Sequence, residues 1–323
     1  MDLMGVGMHT ERRLPVGLAH EEKPGEEAGW TVVWRWFLGG IADSDGSVAL
    51  SRPEAGAPGG DFLLEEFARR RHKWWMPINP PHLKHGDTIG IIAPASAPPD
   101  PKAIDRSITA LEGLGFKTKL APNARRRWGF LAGDDRDRAG DLMVMFTDPK
   151  VDAILCVRGG YGTSRLLARL DYAAIRRHPK IFTGYSDITS LHFAFLKRAN
   201  LVSFHGPMLN SDFVKDDLPD FTLASFLRTV TQTAPSGSVC RGYTKKTVSV
   251  LREGNVSGPL LGGNLTLICA SLGTPYQPSF RGKILFFEDL EEVPYRFDRM
   301  LTQLLNAGLL QQVKGIALSL IHI

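Results

Sequence analysis

Ser186 stands where an apolar run gives way abruptly to a helical pattern, the placement that makes a serine hydroxyl a candidate nucleophile. The residues before it, Lys180-Ile181-Phe182-Thr183-Gly184-Tyr185, are largely β-branched or aromatic and contain Gly184, which can take the dihedrals of a sharp turn. After it, Ile188, Leu191, Phe195 and Leu196 recur at helical spacing across residues 187–199, and Asp187 puts negative charge in the first turn. At such an elbow the hydroxyl is exposed above a sheet and the next residue's N–H points into the same space, where it can stabilise an oxyanion. The pattern departs from Gly-x-Ser-x-Gly, because Ile188 occupies the second glycine position. A serine here also suits plain helix capping.

A second candidate is the glycine-rich turn Arg158-Gly159-Gly160-Tyr161-Gly162, which follows the apolar run 153–157. Bare backbone N–H groups can approach a reacting carbonyl there, with Gly160 as a second oxyanion donor. A tight turn needing positive φ explains the same glycines. The spacing fits neither Gly-x-Gly-x-x-Gly nor Gly-x-x-x-x-Gly-Lys-Ser/Thr, so a nucleotide cradle is disfavoured. Glu288 ends the apolar run 284–287 and opens an acidic group with Asp289, Glu291 and Glu292 before a helical pattern at 295–306. It reads either as a fixed catalytic carboxylate or as part of a solvated turn. No cofactor is expected, and no metal, because spaced His/Cys ligands and acid–histidine clusters are missing from the sequence.

In order along the chain, Gly86-Asp87-Thr88-Ile89-Gly90-Ile91-Ile92-Ala93-Pro94, the 158–162 turn, Gly184-Tyr185-Ser186-Asp187-Ile188-Thr189, His205-Gly206-Pro207-Met208 and Gly262-Gly263-Asn264-Leu265 resemble the L,D-carboxypeptidases, a group that includes the microcin-immunity serine peptidases. The resemblance runs over residues 77–320. It implies a serine peptidase with a Ser-Glu-His triad that releases the terminal D-alanine of murein tetrapeptide in cytoplasmic cell-wall recycling. On this resemblance Ser186 is the nucleophile, Glu288 the triad carboxylate, and the N–H groups of Asp187 and Gly160 the oxyanion hole. Arg158, Tyr161 and His205 are the substrate-binding candidates. A hydrolase of peptidyl or aminoacyl nucleotides, and a non-catalytic muropeptide-binding remnant, are the alternatives.

The family's histidine lies well downstream of its glutamate, so the resemblance implies a C-terminally truncated, weak or inactive chain whose triad histidine falls beyond Ile323. Among the histidines present, His192 reads as a packing residue on the elbow helix, and His322 is the nearest substitute base. Relatives of this kind commonly form homodimers.

The surrounding elements must hold these residues. Strands are expected at 88–93, 117–121, 153–157, 180–185 and 201–204, with helices at 102–114, 136–146, 164–170 and 187–199. Alternation of this kind gives a parallel sheet covered by helices, with ligands at the strands' carboxyl ends. The fold class is therefore α/β, a Rossmann- or flavodoxin-like parallel sheet plus a smaller, β-rich, incomplete C-terminal domain. Residues 1–75 read as a poorly ordered extension, 76–212 as the nucleophile-bearing domain, 213–236 as a linker and 237–323 as the truncated C-terminal domain.

The 323 residues, 43% of them hydrophobic, suffice for two cores. The net charge of +5 owes much to the runs at Arg69 and Arg125, which lack the aromatics of a nucleic-acid surface and read as solvated faces. Neither a targeting signal nor a membrane span is expected. Cys156, Cys240 and Cys269 are expected to be reduced and buried.

Overall fold

The computed structural model describes residues 76–215, 218–234, 237 and 249–319, together with the backbone of a two-residue strand, β1 (Trp34–Arg35). The rest of the expected 1–75 extension, Cys240 and His322 lie outside the described residues.

Three apolar runs form the middle of the main sheet: β2 (Thr88–Ile92), β4 (Ala153–Cys156) and β5 (Ile181–Gly184). β4 and β5 are buried throughout, and β2 is buried beyond its first residue, as strands covered on both faces must be. β3 (Lys117–Leu120) closes one edge with exposed lysines, which blunt it against further pairing. β6 (Phe204–His205) lies beyond β5. The order is β1-β6-β5-β4-β2-β3, with β2 to β6 parallel and β1 antiparallel.

The covering helices include α1 (Ala103–Gly113), α2 (Asp135–Thr147), α3 (Tyr172–Arg177) and α4 (Thr189–Ala194). Asp134 caps α2 by accepting from the Asp137 N–H, and Asp171 caps α3 by accepting from Ala174. The helix expected at 164–170 is instead two single 3-10 turns, Thr163–Arg165 and Leu167–Arg169. Thr163 is tied to Asp187 at one end and Asp171 caps α3 at the other, so both ends of the stretch are fixed by contacts outside it. The strand expected at 201–204 is shifted to Phe204–His205, while Leu201 forms only an isolated bridge with Ile78.

The segment read as a linker carries a helix, α5 (Asp220–Thr231). Its Phe226 and Val230 are buried in the main core, and the Val230 carbonyl accepts from the Leu83 N–H.

The C-terminal unit is a second parallel sheet, β7 (Leu260–Asn264), β8 (Ile284–Glu288) and β9 (Gly315–Leu318), in that order, with α6 (Leu265–Ala270) and α7 (Pro294–Asn306) between the strands. Its core gathers Leu261, Leu265, Ile268, Leu285, Phe287 and Leu304, and it takes in Phe193 and Val202 from the first unit. That shared packing seats β7 and β8 against the elbow. No described helix is long and apolar enough to cross a membrane.

Candidate active site

Ser186 follows β5 with φ at 61°, a left-handed conformation that a non-glycine residue adopts only under constraint. The constraint is visible on both sides. On the strand side, the Gly184 carbonyl accepts from His192 Nε2 at 2.8 Å and from the Gly206 N–H at 3.3 Å. On the helix side, Asp187 is buried; its carboxylate accepts from the Thr163 N–H at 2.8 Å, and its carbonyl accepts from Thr163 Oγ1 at 2.5 Å. Burial pushes the Asp187 carboxyl pKa up, while the Thr163 bonds oppose that shift.

His192 is part of this scaffold. A carbonyl can only accept, so Nε2 carries the proton, and Nδ1 accepts from Ser203 Oγ at 2.8 Å. Burial drops its pKa to about 4, which keeps the ring neutral. Ile188, the residue at the expected second glycine, packs against Gly184: a methyl group on Gly184 would stand 3.0 Å from Ile188 Cγ1.

The glycine-rich turn lies directly beside Ser186. A Cβ on Gly159 would stand 3.0 Å from Ser186 Cβ and 3.2 Å from its Oγ, so the bare backbone is what admits the serine. Gly160, the residue singled out from sequence, has φ at 109° and faces Ser96, whose Oγ would lie 2.4 Å from a Cβ there. Ser96 holds the turn with two bonds: its N–H donates to the Gly159 carbonyl at 3.3 Å, and its Oγ accepts from the Tyr161 N–H at 3.1 Å. Neither the Gly160 nor the Asp187 N–H donates to another described residue.

Of the substrate-binding candidates, Arg158 is half-buried and donates to the Ala97 carbonyl at 3.3 Å. Tyr161 is exposed, its ring 5.7 Å from Phe130. His205 is buried opposite Gly184 on β6, with its ring 5.3 Å from Phe286 and 5.9 Å from Tyr185. Burial, and next the neighbouring His192, push its pKa down to about 3, and its Nδ1 has no partner among the described residues. His205 is therefore a neutral ring packed behind the elbow.

Glu288 ends β8 in register with Asn264. It is 9% exposed, and burial followed by the charge of Asp289 raises its pKa to about 7. Its Oε1 has no partner among the described residues. Burial raises the Tyr185 hydroxyl pKa, with Asp212 and then Glu288 adding to the shift, so the Glu288 charge reaches the residue preceding Ser186.

The strand end is held by Asp289, which accepts from Asn264 Nδ2 at 2.9 Å, from the Thr266 N–H at 2.9 Å and from Thr266 Oγ1 at 2.8 Å. The Asn264 N–H donates to Thr189 Oγ1 at 3.0 Å, which docks β7 on the helix that follows Ser186. The structure thus gathers the serine, the glycine turn and the Glu288 strand around one elbow. No described histidine hydrogen-bonds Ser186.

The sequence matches the LD-carboxypeptidase N-terminal domain over residues 89–206 and the LD-carboxypeptidase C-terminal domain over 257–322. A probable murein peptide carboxypeptidase of Bacillus subtilis is 46% identical over 250 residues, 76% of each chain. The chain belongs to the LD-carboxypeptidase family. It is a serine peptidase enzyme of the carboxypeptidase class. Two solved structures agree with this fold. A muramoyltetrapeptide carboxypeptidase from Oxalobacter formigenes superposes with a TM-score of 0.61 at 36% identity, covering 72% of this chain and 75% of that one. An MccF-like protein from Bacillus anthracis does so with a TM-score of 0.67 at 31% identity, covering 75% and 80%.

The sequence of this LD-carboxypeptidase suggested no holding role for Ser96, Thr163, Thr189 or Asp289. Each acts through a long-range hydrogen bond, between 23 and 75 residues along the chain, and such bonds leave no periodic trace. The signal that was available is a small polar residue at the carboxyl end of a strand or the start of a helix in the same fold.

Proposed function

We propose that this LD-carboxypeptidase releases the terminal D-alanine of murein tetrapeptide, in the cytoplasm, as a step of cell-wall recycling. The observation that carries the reading is Ser186 held at φ 61° against the bare Gly159 backbone, in a chain 46% identical to a probable murein peptide carboxypeptidase. Ser186 Oγ attacks the carbonyl carbon of the penultimate residue, and the Asp187 and Gly160 N–H groups receive the oxyanion. The C–N bond breaks, D-alanine leaves with a proton on its amine, and water then hydrolyses the serine ester.

A serine hydroxyl needs an imidazole to take its proton and a carboxylate to orient that imidazole. Glu288 is the carboxylate in this reading, and its unpartnered Oε1 is the acceptor available for it. None of the described histidines is the imidazole. Arg158 and Tyr161 receive the peptide in this reading, since its free carboxylate suits a guanidinium.

The test is D-alanine release from murein tetrapeptide by the purified protein, beside the Ser186→Ala variant. Release by the parent and loss in the variant support the reading; release that survives Ser186→Ala removes the nucleophile assignment. Faster hydrolysis of an aminoacyl sulfamoyl adenosine than of the tetrapeptide reassigns the substrate class.

A further inference from the structure

Arg138 is a buried charge for which the proposed reaction has no direct use. It lies in the first turns of α2, 1% exposed, and belongs to the largest fully buried side chains of the protein. An arginine is kept in such a place only when its donors are matched. Here three carbonyls from three different loops and one carboxylate of its own helix match them.

Nε donates to the Gly133 carbonyl at 3.2 Å. Nη1 donates to the Pro94 carbonyl and, at 3.0 Å, to the Gly162 carbonyl. Nη2 donates to Asp135 Oδ1 at 2.6 Å, and Asp135 is held in turn by Arg165 Nε at 2.9 Å. Pro94 leads out of β2, Gly162 ends the glycine-rich turn, and Gly133 precedes α2.

Gly162 connects this clamp to the elbow. With φ at 127°, its missing Cβ would stand 2.8 Å from Arg138 Nη1, so the guanidinium occupies the space of a side chain. The next residue, Thr163, bonds to both the carboxylate and the carbonyl of Asp187. From the guanidinium to the residue after Ser186 the path is therefore one carbonyl, one peptide bond and two hydrogen bonds. At its other end the Pro94 bond fixes the segment that carries Ser96, which holds Gly159 and Tyr161.

We propose that Arg138 is the positioning residue of the oxyanion side of the site, a single side chain that sets the glycine-rich turn and the Asp187 backbone relative to each other. A lysine does not replace it. Three donors on one nitrogen cannot span carbonyls on three loops and a carboxylate, whereas the planar five-donor fork does. The inference rests on the carboxypeptidase reading for its kinetic consequence and on geometry alone for its conformational one.

The experiment separates the two. Arg138→Lys and Arg138→Ala are compared with the parent protein by kcat and KM for D-alanine release and by amide hydrogen exchange. We expect kcat to fall by about 10- to 100-fold, the scale of a displaced catalytic geometry, with KM within about threefold. Guanidinium at non-denaturing concentration raises kcat of Arg138→Ala and leaves Arg138→Lys and the parent unchanged. Exchange quickens in residues 158–163 and 186–189 and stays at parent rates in 260–264.

A kcat within twofold of the parent in both variants overturns the proposal, as does exchange that quickens uniformly through both sheets, which marks a loss of general stability. If the parent protein releases no D-alanine, the carboxypeptidase reading fails, and the exchange pattern decides the clamp by itself.

Discussion

Replacing Ser186 by glycine stabilises the protein relative to replacing it by alanine, although both variants lack the serine hydroxyl. The serine sits at φ 61°, where an L-residue bears about 1–2 kcal/mol of backbone strain. Alanine keeps that strain and glycine relieves it. Glycine's greater freedom in the unfolded chain takes back about 0.4–1 kcal/mol. The net preference for glycine is about 1 kcal/mol, equivalent to about 2–4 °C in a protein of this size. The hydroxyl adds little to the comparison, because it hydrogen-bonds no described residue and both variants lose it. Thermal and urea unfolding of Ser186→Gly and Ser186→Ala, matched in concentration and pH, measure the difference directly. If the alanine variant is as stable as the glycine variant, the elbow stores no strain, and the argument that its anchors hold a pre-formed nucleophile fails.

Gly159→Ala keeps a permitted backbone, since Gly159 is not at positive φ, but it sets a methyl group 3.0 Å from Ser186 Cβ and 3.2 Å from the Tyr185 carbonyl. Displacing the serine costs about 100-fold in kcat, with the unfolding temperature within a few degrees of the parent; unchanged kcat refutes the contact's importance. Glu288 has a pKa raised from 4.5 to about 7, so folding favours its protonated form. Its contribution to stability is fully present below pH 4.5 and is lost as pH rises through 7. Glu288→Gln removes that dependence, so the stability of the variant relative to the parent rises between pH 4.5 and pH 7.5 by up to about 3 kcal/mol. A difference that is flat across this window in urea unfolding refutes the buried, protonated state. In the parent, D-alanine release rises through pH 7 as Glu288 ionises.

The sheet was legible because burial on both faces writes itself into the sequence. Thr88–Ile92, Ala153–Cys156 and Ile181–Gly184 are runs in which nearly every residue is apolar or small, and each is within a residue or two of its expected bounds. The misreadings fall where tertiary contacts override local pattern. Leu166, Leu167 and Leu170 look helical in spacing, yet the Thr163–Asp187 bonds and the Asp171 cap break the stretch into separate turns. Helix α5 lies within the 213–236 segment read as a linker. Its Phe226 packs in one core with Leu83 and Phe213, which lie 143 and 13 residues away along the chain.

The candidate site was legible where residue types suggest chemistry and opaque where residues only hold the backbone. Ser186 and Glu288 stand at strand ends, where a serine and a carboxylate can be picked out by type. Ser96, Thr163, Arg138 and Asp289 are ordinary polar residues whose role exists only once distant loops are brought together. The departure at Ile188 is the instructive case. In Gly-x-Ser-x-Gly the glycines let helix and strand approach; here the Ile188 side chain fills the room that Gly184 leaves, at 3.0 and 3.1 Å from a Cβ position there. One glycine on the strand side is enough to seat the elbow when the residue facing it is apolar and buried. The second glycine is thus a means of close packing, and its loss says nothing against the proposed role of a serine whose flanking backbone is held by Thr163 and His192.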